Sequence, residues 1–356
     1  MKKDIQIGII GARGVVGQTV AQYLAQRYRV LKGGRTIPRI EETWQQVDIY
    51  QVDSLIAFCN RCEVVINSAG PTYQIEDRIA KVAAICGTKY VDVFGGGKLE
   101  RLLTPIKGQN IIGAGCVPGL SGILLRYLAE QMAPEDSLKI FHGGEECGGL
   151  AACKDILLSL VEKYGIPDKI LKDYQLCDAK SKGFIYEHMN GFQAPVCPSA
   201  FFTEEDWKVK ACFELANLED YQVYANTESK DLIAKGCVQF TFAANDDTRN
   251  GICRDIMTKQ QELLQGKSSW FGMRATAQGE LGTREIIVAT KDSSVITGLV
   301  AGLCAESLLE EGEWIGTKWA FECLDAQRVF YVLEKYIAEL KLVTKNIVSD
   351  MEFGEI

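Results

Sequence analysis

The stretch GIIGARGVVGQTVAQYL, Gly8 to Leu24, decides how the chain is read. The residues leading into it, DIQIGII, are apolar and β-branched, as a buried parallel strand requires. Behind it, Val16, Val20 and Leu24 fall on one helical face. Gly11, Gly14 and Gly17 therefore occupy a strand-to-helix turn. There, missing side chains let backbone N–H groups approach an anion, and the helix dipole favours its charge. The same glycines could instead only let a helix begin close to a strand. The spacing is G-x-x-G-x-x-G, not G-x-G-x-x-G, so the turn alone leaves both readings open.

Outward from this turn, strand and helix signals alternate. RYRVLKGGR ends an apolar step in glycines and Arg35, VDIYQVD (47–53) reads as a short strand, and SLIAFCN reads as a helix. CEVVINSAGP (62–71) is a buried strand that breaks at Gly70-Pro71. A helix from about Ile75 to Cys86 leads to the strand KYVDVFGGG (89–97). NIIGAGCVPGLS (110–121) is a sixth strand and turn before the helix GILLRYLAEQM. This alternation predicts a Rossmann-type, doubly wound parallel α/β sheet, which binds ligands at the carboxyl ends of its strands. Gly11, Gly33, Gly70, Gly95 and Gly115 gather at those ends.

The pattern changes near Ser137. SLKIFHGGEECGG reads as a strand and turn, ACKDILLSLVEKYG as a helix, and residues 165–245 as mixed, with strand-like pieces at GFIYEH and CVQFTF. The helix DTRNGICRDIMTKQQELLQG precedes WFGMRATAQ and TREIIVATKD, a hairpin joined by GELG. An inserted α+β domain for substrate and dimerisation is the expectation. SSVITGLVAGLCAESLLEEG is apolar nearly all round and is expected to pack back on the first sheet. The expected divisions are 1–130 for a dinucleotide, 131–290 for the α+β substrate domain, and 291–356 for C-terminal helices returning to the first domain.

With 356 residues, 47% hydrophobic and 24% charged, the chain has the composition of a globular protein. A formal charge of −8 argues against a nucleic-acid partner. The sequence shows no run read as a membrane span, and MKKDIQIG leads directly into a strand, so a cytoplasmic protein without a membrane partner is expected. Of thirteen scattered cysteines, with no secretion signal, most read as small buried thiols in a reducing compartment. The Cys59–Cys62 pair has no second pair at zinc spacing, and there are two histidines, so no metal site is expected.

Four segments, in this order and spacing, carry a resemblance: GARGVVG, VVINSAGP, AAICGTKYVDVFGG and GAGCVPGLS. Together they resemble the saccharopine dehydrogenase-like NADP-binding oxidoreductases over roughly residues 5–130, with a weaker echo at 301–332. The resemblance implies a dinucleotide fold with an inserted substrate domain, and reduction or formation of C–N bonds, with relatives proposed to act on C=C bonds. It implies that Gly11, Arg13, Gly14, Val15, Val16 and Gly17 hold the pyrophosphate. It places Asn67, Ala69, Gly70 and Pro71 along the ribose and nicotinamide. Several amino-acid-forming members have an acid where this chain has Val117, which puts a substrate such as saccharopine in doubt. A homodimer through the second domain's sheet follows by the same analogy.

Hydride transfer asks the protein for orientation, exclusion of water and, for an imine that is not already protonated, a proton. Tyr73 stands just past Pro71 and reads as a donor or as a wall. His142, beside Gly143 and Gly144 at the entry to the second domain, is a candidate general acid with Glu146 to orient it. Equally, it is a histidine hydrogen-bonded at a strand end. His188 is a weaker candidate, and Cys116 reads as a small wall residue. Arg249, Arg254, Arg274 and Arg284 are available to clamp a carboxylate, although the hairpin pair Arg274 and Arg284 read first as cross-strand partners. Trp270 and Phe271 suit a pocket or a core.

An NAD-selective site puts an acid at the end of the second strand. This chain has Lys32, Gly33, Gly34 and Arg35 there, with Lys32 expected toward solvent. Arg35 suits the 2′-phosphate of NADP. The expectation is an NADPH-dependent reductase of an imine-like bond in a small or carrier-tethered metabolite. Its alternatives are a C=C reductase and a non-catalytic NADP-binding sensor.

Overall fold

The computed structural model describes residues 4–38, 42–180, 185–280, 282–310, 312, 314–337 and 340–347. The first part of the chain alternates β1 Gln6–Ile10, α1 Val15–Leu24, β2 Arg29–Gly34, β3 Trp44–Gln46, α2 Val52–Cys59 and β4 Val64–Asn67. It continues through α3 Thr72–Ile75, α4 Arg78–Ile85, β5 Lys89–Asp92, α5 Gly96–Leu103, β6 Gln109–Ile112 and α6 Leu120–Ala129. The next part holds β7 Ser137–Glu145, α7 Leu150–Val161, β8 Gly165–Pro167, β9 Lys169–Lys172, β10 Gln175–Asp178 and β11 Cys197–Thr203. After these come α8 Glu204–Phe213, β12 Asn217–Tyr224, α9 Thr227–Thr241, α10 Asp246–Leu264, β13 Trp270–Gly279 and β14 Gly282–Thr290. The last part is α11 Ser293–Glu310, β15 Gly316–Trp319, α12 Ala320–Cys323, α13 Ala326–Tyr336 and β16 Lys341–Ile347.

Seven strands form a parallel sheet in the order β15-β6-β5-β4-β1-β2-β3. β4, VVIN, is buried along its whole length, as a strand covered on both faces must be. The order reverses at β1, whose neighbours are β2 and β4, and a doubly wound sheet opens its crevice at such a point. The fold is therefore the expected Rossmann type, joined to a second, mixed sheet ordered β10-β9-β12-β7-β13-β14-β16, with β11 and β8 attached.

α11 returns to the first sheet as its apolar sequence demands. Gly298 faces Thr19 and Gly302 faces Tyr23, so α1 and α11 approach closely. At 18 residues and mean hydropathy 1.3, α11 is long and apolar enough to cross a membrane, contrary to the expectation that no such run exists. Here its residues are spent against α1, β4 and β5. Its one fully buried acid, Glu306, is held by Arg27 at 2.7 Å, Arg328 at 2.9 Å and the Tyr23 hydroxyl at 2.7 Å.

Other expectations shift. The third strand lies at Trp44–Gln46 and not at 47–53, because the Asp48 carboxylate accepts from the Tyr50 N–H and closes a turn there. The single helix expected from Ile75 to Cys86 is split at Glu76, whose φ is +53°. CVQFTF belongs to α9, which is capped by the Asn226 side chain and packs on α7 and α10. GFIYEH contributes one bridge, Glu187 to Val196, while its Gly183 and Phe184 lie outside the described residues. The final segment is not helical throughout: β16 pairs with β14 and so joins the second sheet.

Candidate functional site

The β1–α1 turn is tied to the end of β2 by the N–H groups of Gly11 and Ala12, which donate to Gly33 O at 3.0 and 3.2 Å. Its three glycines have different reasons to be there. Gly11 has φ +87°, and a Cβ on it would stand 2.5 Å from the Ala69 nitrogen. A Cβ on Gly17 would stand 2.6 Å from Gly11 O and 2.7 Å from Ala12 Cα. Both are needed for the helix to sit so close to the strands. Gly14 is not: its Cβ would meet only Gly11 O, at an ordinary 3.6 Å.

Gly14 is also the N-cap of α1, with no side-chain cap and no acid in the first turn. The first N–H groups of a helix need partners from outside it. Here they open to solvent beside the exposed Arg13, Gly14 and Val15, with Val16 half-buried. That is a seat for an anion.

Cations flank the seat. Arg13 Nη1 donates to Thr36 Oγ1 at 2.5 Å, which brings its guanidinium to the loop after β2, where Arg35 is exposed. Lys32, expected toward solvent, lies over the Trp44 ring at 5.6 Å. Both line an open groove of about 460 Å³ between α1 and β2–β3. From Lys32 to Thr36 there is no acid to receive a ribose 2′-hydroxyl; Glu41 lies outside the described residues. This set of residues fits a dinucleotide phosphate end.

The turn after β4 is built from within. Asn67 is fully buried; its amide donates to Asp92 Oδ2 at 2.9 Å and its carbonyl accepts from the Ala69 N–H at 3.1 Å. Asn67 therefore shapes the loop from Ala69 to Pro71. Asp92 spends both oxygens, on Asn67, the Tyr90 hydroxyl at 2.6 Å and the Phe94 N–H at 3.0 Å. Over Gly70 comes α7 of the second sheet's layer, with Ala151 and Asp155 against it.

Tyr73, one residue into α3, is buried and stands 5.6 Å from Phe94, itself 5.3 Å from Tyr164. Burial pushes the phenol well above the usual tyrosine value, and Glu204 and Asp155 add to the rise. This is a wall of rings more than a donor.

His142 lies inside β7, with Nε2 at hydrogen-bond distance, 2.9 Å, from Asp220 Oδ1. Burial works against its charged form, but the charge and hydrogen bond of Asp220, backed by Glu205, outweigh it and raise the pKa. Glu146 does not orient it. Four extended residues span about 13 Å, and Glu146 instead caps α11, accepting from the Ser293 N–H at 3.0 Å and from the Ser293 hydroxyl.

The GAGCVPGLS turn after β6 is occupied by the protein itself. Glu205, from α8, accepts from the Gly119 N–H at 2.8 Å and from the Ser121 hydroxyl, and a Cβ on Gly122 would stand 2.6 Å from it. Burial raises its pKa to about 7 despite those two donors. Cys116, within this turn, is buried, and its thiol is raised by desolvation, as befits a wall. Cys59 and Cys62 are both pushed up to about 12 by burial.

Among the candidate arginines of the second layer, Arg254 is exposed and three meet other side chains or backbone. Arg274 pairs with Glu285 at 2.6 Å, Arg284 donates to Gln131 O at 2.7 Å, and Arg249 lies over Phe240 at 5.1 Å. Trp270 belongs to a small core with Val196 and Val223.

Sequence reading missed Glu205, Asp220 and Asp155. The capping box Thr203–Asp206 marks the start of α8 and so the approach of Glu205. The charged pair Lys154-Asp155 inside the apolar helix LAACKDILLSLV was the other available signal.

No protein-family profile matches the chain, and no curated protein does. Among solved structures, it is similar to the apo, histidine-tagged saccharopine dehydrogenase (L-Glu forming) from Saccharomyces cerevisiae. The TM-score is 0.67 at 13% identity, covering 97% of this chain and 100% of that one. The chain has a saccharopine dehydrogenase-like fold. Partial likenesses include Pen from Bacillus thuringiensis (TM-score 0.26, 16% identity, 32% of this chain and 50% of that one). A short chain dehydrogenase from Burkholderia cenocepacia J2315 in complex with NADP is another (TM-score 0.21, 15% identity, 27% and 55%). At this identity the saccharopine dehydrogenase-like likeness speaks for the architecture, and the chemistry has to come from the residues.

Proposed function

We propose that this protein is an NADPH-dependent oxidoreductase that reduces an imine-like C=N bond in a small or carrier-tethered metabolite. The observation that carries the reading is the β1–α1 turn. Its helix N-terminus has no cap, its Gly14 is not required by packing, and Arg13 donates to Thr36, the neighbour of Arg35 in the loop after β2. When bound, NADPH supplies the hydride. The chain's part is to hold the pyrophosphate at the N–H groups of α1, to hold the 2′-phosphate at the arginines, and to exclude water with the Tyr73–Phe94–Tyr164 wall.

The test is NADPH oxidation with a panel of cyclic imines, and of oxo acids with amines, alongside NADPH and NADH titrations. Turnover with imines and preference for NADPH support the reading. Turnover only with unsaturated thioesters moves the activity to C=C bonds. Tight binding with no turnover makes the protein a sensor.

The same reading carries a homodimer through the second sheet. On its outward face Phe141 and Tyr221 stack at 4.9 Å and stay partly exposed, a surface suited to a second copy. A monomer in light scattering at micromolar concentration would remove it.

A further inference from the structure

Several buried or half-buried carboxyl groups lie where the two sheets meet. Asp92, Glu146 and Glu205 each have both oxygens engaged by donors. Asp155 does not: its Oδ1 is enclosed and has no hydrogen-bond partner. An enclosed, unpartnered carboxylate oxygen is costly, and its persistence asks for a reason.

Its position supplies one. α7 presses Asp155 onto the turn after β4, with Oδ2 2.8 Å from where a Cβ of Gly70 would be. The backbone of Thr72 and Tyr73 lies beside the carboxyl group and favours its charged form. This is the carboxyl edge of the parallel sheet, at the turn assigned above to the nicotinamide side.

The charged groups around Asp155 favour its neutral form. Asp92 on β5 repels a second negative charge. Lys154, its neighbour on α7, gives only minor help because its ammonium is bonded to Asp246 of α10 at 2.6 Å. Burial, the largest influence, pushes the pKa up to about 7, against the pull of that backbone. A group so placed is near balance between holding its proton and releasing it around neutral pH.

We propose that Asp155 is the proton donor of this site, delivering its proton from the carboxyl group to the substrate nitrogen. The proposal rests on the C=N reading above. In the step, the substrate carbon gains a C–H bond from the hydride of reduced nicotinamide. The C=N π pair becomes the N–H bond to the Asp155 proton. The O–H bond of Asp155 breaks, the carboxylate is left beside the backbone of Thr72 and Tyr73, and solvent later restores the proton. Tyr73 then acts as a wall, and His142 with Asp220 is left to structure.

The experiment uses the full chain as wild type, as Asp155→Asn, and as Asp155→Ser to relieve crowding at Gly70. NADPH titration first shows that the variants fold and bind. Difference infrared spectra, wild type minus variant, are then taken from pH 5 to 9 without substrate. A protonated-carboxyl band that disappears around neutrality is expected. Its absence at pH 5 overturns the proposal.

Turnover with NADPH and a cyclic imine comes next. The variants are expected to lose roughly 10²–10⁴-fold in kcat, with the fall of wild-type kcat/KM as pH rises through neutrality flattened in what remains. Variants that keep the wild-type rate and pH profile overturn the proposal and leave the C=N reading standing. A wild type that binds NADPH and reduces no imine refutes the C=N reading, and the donor role with it.

Discussion

Two glycine-rich turns at the same edge of the parallel sheet have been put to opposite uses. After β1, the turn leaves the N-terminus of α1 open and uncapped, with the exposed Arg13 beside it bonded to Thr36 of the loop after β2. After β6, the turn at Gly119–Ser121 presents the start of α6, but Glu205 of α8 is already bonded there. Both provide backbone N–H groups to a negative charge. One waits for a ligand's charge and the other uses a side chain to hold the two sheets together. Glycines at a strand end therefore signal close backbone approach, and what approaches is decided elsewhere in the chain.

Emptying the occupied turn should have the largest effect. Glu205→Ala leaves the Ser121 hydroxyl and the Gly119 N–H buried without a partner, and urea unfolding should show a loss of about 2–5 kcal/mol. A loss below about 1 kcal/mol would mean that the clamp does little.

Within the open turn, the glycines themselves should separate. Gly17→Val drives a side chain into backbone at 2.6 Å and should cost about 3 kcal/mol or abolish folding. Gly14→Val should change stability by less than about 0.5 kcal/mol while weakening NADPH binding at least about tenfold, by blocking the pyrophosphate. Normal dinucleotide affinity in Gly14→Val would make the open turn merely structural.

Arg35→Ala should weaken NADPH binding by roughly 1.5–3 kcal/mol, the value of a charged hydrogen bond, and leave NADH nearly unchanged. Equal losses for the two cofactors would put the 2′-phosphate elsewhere.

The subtlest readout is pH. In the folded protein Glu205 is raised from 4.5 to about 7, so the folded state holds its proton more tightly than the unfolded chain. Its contribution to stability is full below about pH 4.5 and is lost as pH rises to about 7. Wild-type stability minus that of Glu205→Gln should fall across this window and be flat outside it. A flat difference throughout would show that Glu205 is ionised in the clamp.

The parallel sheet was legible because its signals are local: a fully apolar VVIN, a helix with one apolar face, glycine at each strand end. The apolar α11 also announced its return to an existing core. CVQFTF was misread because a short apolar, β-branched run does not distinguish strand from helix by period, and only the cap at Asn226 settles it. β16 gave no local sign of its partner, since pairing with β14 is a long-range event. In the site, Gly11, Arg13, Gly14, Gly17 and Arg35 were readable as one turn with the end of a neighbouring strand. Asp155, Glu205 and Asp220 were not, because each is buried by an element distant in sequence. The pairing of His142 with Glu146 was suggested by nearness along the chain, whereas His142 meets its partner across strands, on β12.

The chain crosses between its two layers more than once. After building the second sheet as far as β14, it returns to give the first sheet its edge strand β15, and then goes back to lay β16 beside β14. Neither half is a contiguous stretch that could be cut out and grafted onto another protein. A fragment ending after α6 would forfeit β15 and expose the surface of α1 that Gly298 and Gly302 meet. Exchange of the second half must therefore proceed by substitution in place, at loops and helices such as α7, and not by swapping a cassette.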